Sequence, residues 1–167
     1  MKRRVMIATR LFLNVIVVLI LAGTIINCGG GSSAGVAKVE APKSLIQDFI
    51  AKHNAMIDSS LVNFYVADER PTVAAKVQKS IDEKTASGEI EKLRQATFDF
   101  SNLQIAVVDE KEAYVNDQPT KVIKVSVTGS YNVREEDKNK TIPTAENIIL
   151  EWVNNTWKVT EKNNPFS

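Results

Sequence analysis

The stretch Ile149-Leu150-Glu151-Trp152-Val153-Asn154-Asn155-Thr156-Trp157-Lys158-Val159 reads as two short strands joined by a two-residue turn. Asparagine tolerates the positive φ that tight two-residue hairpins demand, so Asn154-Asn155 is the natural corner. With those two residues as the loop, Val153 opposes Thr156, Trp152 opposes Trp157 and Leu150 opposes Val159. This register predicts both tryptophans side by side on the core face, a cross-strand pair worth about 0.5–1 kcal/mol. The chain therefore closes in an antiparallel sheet.

Working backwards, the period of two continues. Ile123, Val125, Val127, Gly129, Tyr131 and Val133 alternate with Lys124, Ser126, Thr128, Ser130, Asn132 and Arg134, which predicts a strand with one dry and one wet face. The next strand is expected from about Thr144 to Val153 and the last from Thr156 to Glu161. Between them and the dry-faced strand, the charge run Glu135–Lys140 reads as a solvated hairpin loop. Further upstream, Phe98 and Phe100 alternate with Asp99 and Ser101, but the apolar phase slips at Asn102-Leu103 before Ile105-Ala106-Val107-Val108. A first strand with an irregularity is expected there, bounded by Asp109-Glu110-Lys111. Tyr114-Val115 makes a short second strand before a turn at Asn116-Asp117-Gln118-Pro119.

Before Ala96 the period is 3.6. Leu45, Ile46, Phe49, Ile50, Met56, Ile57, Leu61, Phe64 and Tyr65 predict one long amphipathic helix from Leu45 to about Val66, with Ser44 and Gln47 spaced as a capping box. Pro71 breaks it and Asp68 or Thr72 offers a new cap. A second helix is expected from about Val73 to Lys84 on the stripe Val73, Val77 and Ile81. Ser87-Gly88 interrupts it, and a short third helix from Glu89 to Gln95 uses Ile90 and Leu93.

Two or three helices followed by four or five antiparallel strands is an α+β plan, with the helices packed on one face of a curved sheet. This order, the long first helix and the closing Trp-Lys-Val strand pair resemble the nuclear transport factor 2-like (cystatin-like) superfamily over about Ser44 to Glu161. The resemblance implies a cone whose sheet and helices enclose a pocket, in a family that includes enzymes, ligand binders and interaction domains. Its enzymes, such as ketosteroid isomerase and scytalone dehydratase, use Asp, Tyr or His side chains pointing into the cone.

Here the inward positions are nearly all apolar, with His53 and Tyr131 as the exceptions. No carboxylate is assigned to their face: Asp99, Glu146 and Glu151 are not placed there, although Glu146 and Glu161 stay ambiguous because strand ends are. A general base needs a positioned partner, so His53 is expected to be a satisfied core or rim histidine ahead of a ligand contact or a catalytic group. No catalytic residue and no cofactor are assigned. One histidine and one cysteine make no zinc set, and no nucleophile-elbow, zinc-protease or calcium-loop spacing occurs. The expectation is a non-enzymatic binding or interaction module with an envelope protein partner. The alternative is a carrier of a small apolar ligand, or an isomerase- or dehydratase-like enzyme, with a pocket lined by Phe49, His53, Met56, Tyr131, Trp152 and Trp157.

Location is written at the other end. Lys2, Arg3 and Arg4 precede the 16-residue apolar block Leu11–Ile26, which stops two residues before Cys28, the only cysteine in the chain. A basic n-region followed by an apolar h-region is the pattern of a secretory signal peptide, and the block is short of the about 20 apolar residues of a permanent span. Ile25-Ile26-Asn27-Cys28 resembles the lipobox of bacterial lipoproteins, although Asn27 stands where Gly, Ala or Ser is usual. The resemblance implies cleavage after residue 27 and fatty acylation of Cys28. More than one chain would be attached, since each buried methylene contributes only about 0.8 kcal/mol and a single acyl chain binds marginally. An uncleaved anchor and a signal peptide cut elsewhere are the alternative readings, and all three place the domain outside the cytoplasm.

The expected organisation is thus residues 1–27 as signal peptide, 28–43 as lipidated cysteine and Gly/Ser-rich tether, and 44–167 as one α+β domain. Gly29-Gly30-Gly31 lacks the Lys-Ser/Thr and preceding strand of a phosphate loop, and behaves as a coil spanning on the order of 20 Å. Without Lys2, Arg3, Arg4 and Arg10 the chain has 17 basic against 20 acidic residues, a balance that argues against nucleic acid. The partner expected at this end is the bilayer itself. Cells given a clickable fatty acid should label the wild-type chain and leave Cys28→Ala unlabelled; equal labelling of the two overturns the anchor.

Overall fold

The dry-faced strand around Ile123 is the axis of the sheet. The structure, a computed structural model, describes residues 39–166 other than 116 and 137; the expected signal peptide, Cys28 and most of the expected tether lie outside the described residues. Among the described residues, helices α1 (Lys43–Ala55), a 3-10 helix (Ser59–Phe64), α2 (Arg70–Ala86) and α3 (Ile90–Arg94) precede five strands. These are β1 (Thr97–Asp99), β2 (Leu103–Val115), β3 (Gln118–Glu135), β4 (Lys138–Val153) and β5 (Thr156–Val159). The architecture is the expected cone-like α+β fold, with helices on the inner face of a curled antiparallel sheet. β3 pairs along one side with β1 and β2 in turn, and along the other with β4, which carries β5.

Ile123, Val125, Val127, Tyr131 and Val133 are all buried against Ile46, Phe49, Ile50, Leu61, Val73 and Val77 of the helical layer. The intervening Lys124, Ser126, Thr128, Ser130 and Asn132 are half-exposed on the outer face. Burial of Val39 and Ala41 at the edge of this core starts the packed unit slightly before Ser44.

The long first helix is not continuous. α1 stops at Ala55 because Met56 turns left-handed (φ 49°, ψ 38°) and its N–H closes on the Lys52 carbonyl. Asp58 then accepts the N–H of Ser60 at 2.8 Å and starts the 3-10 helix. Short polar side chains that bond their own backbone compete with helix continuation in this way. The expected capping bond of Ser44 is also absent, since the helix begins at Lys43 after Pro42. Pro71 sits in the first turn of α2, where its missing N–H costs nothing, and neither Asp68 nor Thr72 is the cap; Glu69 holds that position.

The strands run further than the charge runs suggested. β2 continues through Asp109-Glu110-Lys111 to Val115, with an irregularity between Val107 and Asp109 that leaves Val108 55% exposed. Glu110 pairs with Lys121 across the ladder at 3.2 Å, so the charges decorate a solvated ribbon and do not end it. Likewise Glu135 pairs with Lys138, so the two strands take in most of the expected loop.

The phase slip at Asn102-Leu103 is the break between β1 and β2. There Ser130 N–H donates to the Asn102 carbonyl at 3.5 Å, and Gly129 of β3 has φ +101°. A Cβ on Gly129 would collide with that carbonyl oxygen, whereas one on Gly88 (φ +75°) would meet open space. Gly129→Ala should therefore cost at least about 2 kcal/mol in urea denaturation and Gly88→Ala about 1 kcal/mol; equal costs would show that the close approach is unimportant.

Candidate functional site

The terminal hairpin forms in the expected register, with Asn154 and Asn155 at φ 49° and 60°. The tryptophan rings meet edge-on, 5.0 Å apart at 66°. Their burial differs from the expectation: Trp157 packs at the edge of the core, but Trp152 is 39% exposed because it lies past Leu150, outside the core cluster.

Farther along the sheet, α1, the segment after the 3-10 helix, β3 and β4 surround a cavity of about 340 Å3. Its walls are the buried side chains of Phe49, Tyr65, Tyr131, Ile148 and Val159. Phe49 meets Tyr65 edge-on at 5.7 Å and lies 5.2 Å from the His53 ring, one helical turn on. Tyr131 is held from its other side by Phe100 at 5.5 Å and Phe98 at 6.4 Å. Tyr65 reaches the sheet because the chain leaving the 3-10 helix forms a parallel bridge to Val159, with the Val66 N–H donating to the Val159 carbonyl at 3.1 Å.

The mouth is polar. His53 and Asn54 stand on α1 and Glu146 on β4, with Glu161 in the segment after β5. All four are exposed. Register decides Glu146: it pairs with Val127, so it belongs to the inward row that includes Ile148 and Leu150. Glu161 is placed by a different device. The carboxylate of Glu69, 3% exposed, accepts the Thr160 hydroxyl at 2.7 Å and the N–H groups of Glu161 and Lys162 at 3.0–3.1 Å. This clasp turns the chain so that the Glu161 side chain faces the cavity, where the Tyr65 hydroxyl donates to it at 3.4 Å.

Burial pushes the Tyr65 hydroxyl far above the usual phenol range, reinforced by the charges of Glu161 and Glu69. Burial also raises Tyr131, with Glu146 adding to it. Both phenols stay neutral donors at physiological pH, in a cavity whose local field is negative.

Of the six residues expected to line a pocket, Phe49, His53 and Tyr131 do so, and Met56, Trp152 and Trp157 do not. Met56 left the face when α1 ended at Ala55, and the tryptophans lie at the hairpin end of the sheet. Tyr65, Glu146 and Glu161 were missed as a set. Strand parity from Val127 would have found Glu146; nothing local marks Glu161, whose direction depends on Glu69, 92 residues away.

Other hollows serve less well. One of about 610 Å3 is bordered by Lys52, Asp58 and Phe98, but its charges answer each other: Lys52 bonds Asp58 and Ser60, and the Lys52 bond pulls Asp58 down to about 2. In another, of about 410 Å3, the buried Glu151 accepts from Asn163 Nδ2 at 3.2 Å. Among the described residues, no group of three or more His, Cys, Asp or Glu is placed to hold a metal ion, and no helix is long and apolar enough to cross a membrane. No family model, curated protein or solved structure matches this chain.

The clasp makes a direct prediction. Glu69→Gln sets an amide N–H2 against backbone donors, and leaving buried groups unsatisfied costs about 1–3 kcal/mol. The urea midpoint should fall, with amide exchange accelerated most at Glu161 and Lys162; unchanged exchange at those two amides would refute the clasp.

Proposed function

We propose that this domain is a non-enzymatic binding module carried on a lipid anchor at Cys28, facing outside the cytoplasm, and that it takes a small ligand into the Phe49–Tyr65–Tyr131 cavity. One observation carries the reading: a hollow of about 340 Å3 has buried aromatic and aliphatic walls and a ring of polar groups at its mouth. Ligand sites are concave and about 300–1,000 Å3; this hollow is at the small end of that range and presents more polar than apolar surface. The mouth groups make the ligand amphipathic, where the sequence suggested an apolar one.

Binding is favoured over catalysis by the state of the titratable groups. His53 contacts the ring of Phe49 and makes no hydrogen bond among the described residues. A histidine acting as general base needs a partner that orients it. Glu146 and Glu161 are solvated, so they are acceptors suited to fixing a ligand's orientation. Export and anchoring follow from the basic n-region, the apolar block and the lipobox-like Ile25–Cys28 run.

The test is a screen of amphipathic fragments by saturation-transfer NMR on the purified full-length chain and on Asn54→Trp. Asn54 is exposed at the cavity mouth, so the indole blocks entry without disturbing the core. Fragments that bind wild type and are lost in Asn54→Trp, at an unchanged melting temperature, support the reading. A wild type that binds none of them, or binding that Asn54→Trp leaves intact, rejects it.

A further inference from the structure

Charge around the cavity is one-sided. Its lining includes two carboxylates, Glu146 and Glu161, and no lysine or arginine. Outside that lining, Lys76 pairs with Glu161, its Nζ 3.8 Å from the carboxylate, with both side chains more than half exposed. Such an exposed pair is weak and easily exchanged for a ligand. Glu146 accepts only from the Thr144 hydroxyl, at 3.3 Å, among the described residues. An anionic ligand would meet two carboxylates against the single exposed ammonium of Lys76.

A second observation is independent of the carboxylates. Tyr131 is 6% exposed, lines the cavity, and its hydroxyl makes no hydrogen bond among the described residues. No buried side-chain oxygen or nitrogen there is orphaned, so this hydroxyl opens into the hollow, with its hydrogen and lone pairs available to an occupant. An accessible hydroxyl bonds to whatever fills the space it faces, here a ligand or the water it displaces. Phe49, Tyr65 and Tyr131 supply aromatic surface, and ring faces attract ammonium groups. Burial is the main reason both phenols stay protonated, and the charges of Glu161 and Glu69 on Tyr65 and of Glu146 on Tyr131 add to it; those same carboxylate charges favour a cation in the space. A metal ion is poorly served, since no set of three ligating side chains is assembled.

We propose that the ligand is a small organic cation, an alkyl- or aryl-ammonium, whose charge is met by Glu146 and Glu161 and whose apolar body lies against Phe49, Tyr65 and Tyr131. This rests on the reading of the cavity as a ligand site. The Tyr131 hydroxyl accepts from the ammonium N–H, and the inward side chain of Ile148 lies against the apolar body.

The two ideas separate in one calorimetric experiment on the full-length chain, at neutral pH and low salt, with three probes of matched shape. These are 2-phenylethylammonium, 2-phenylethanol and 3-phenylpropionate. The cation should bind about tenfold or more tightly than the alcohol, and the anion not measurably. Glu146→Gln and Glu161→Gln, both at exposed side chains, should each lower the preference for the cation over the alcohol about three- to tenfold. If the alcohol binds as well as the cation, or the two glutamine variants keep the wild-type preference for the cation, the cation assignment is overturned while the ligand site stands. If none of the three probes binds, both fall. Cation binding that survives in Asn54→Trp marks surface attraction and overturns the assignment as well.

Discussion

The Glu69 carboxylate is where the helical layer and the end of the sheet are tied together. It lies at the start of α2, 3% exposed, and its two oxygens take up one hydroxyl and two backbone N–H groups from Thr160, Glu161 and Lys162. A buried carboxylate is tolerable only when it is hydrogen-bonded throughout. The requirement acts in both directions: α2 must begin here, and the chain leaving β5 must turn here. The helix that starts beside this carboxylate contributes Val73 and Val77 to the core, so the clasp also sets how the helical layer lies on the sheet.

Two further features depend on that turn. It aims Glu161 into the cavity, where Tyr65 meets it. It also sends the last residues back across the outer face, where Lys111 donates to the Pro165 carbonyl at 2.6 Å and stands 5.1 Å over the Phe166 ring. Val122 and Glu151, on the same cross-strand row as Lys111, are buried from the outside as a result. The sheet is therefore covered on its outer face at Val122 and Glu151, and the dry-and-wet alternation of β3 gives way there.

The cavity owes its place to a second constraint, the early end of α1. Had the helix run on to Val66, its stripe would have placed Met56 and Tyr65 along one cylinder. Met56 instead reverses the chain, the 3-10 helix carries Tyr65 over β5, and the resulting gap between α1 and β4 is left open. Phe49 remains as the hinge of the aromatic wall, touching His53, Phe64 and Tyr65 from one position.

The sequence by itself determined the class of the fold, the dry face of β3 and the register of the closing hairpin. Each of these is local: a period of two or 3.6, and a pair of asparagines able to adopt positive φ, are properties of neighbouring residues. Phe49, His53 and Tyr131 were legible for the same reason, each lying on a clear inward stripe. The helix break at Met56 was half-legible in Asp58-Ser59-Ser60, a run that caps its own backbone. What only the tertiary structure decided was the composition of the cavity. Glu146 turns inward through pairing with Val127, and Glu161 through a carboxylate 92 residues earlier in the chain. Long-range hydrogen bonds of that kind leave no periodic trace, because the partner's position is set by packing and not by spacing.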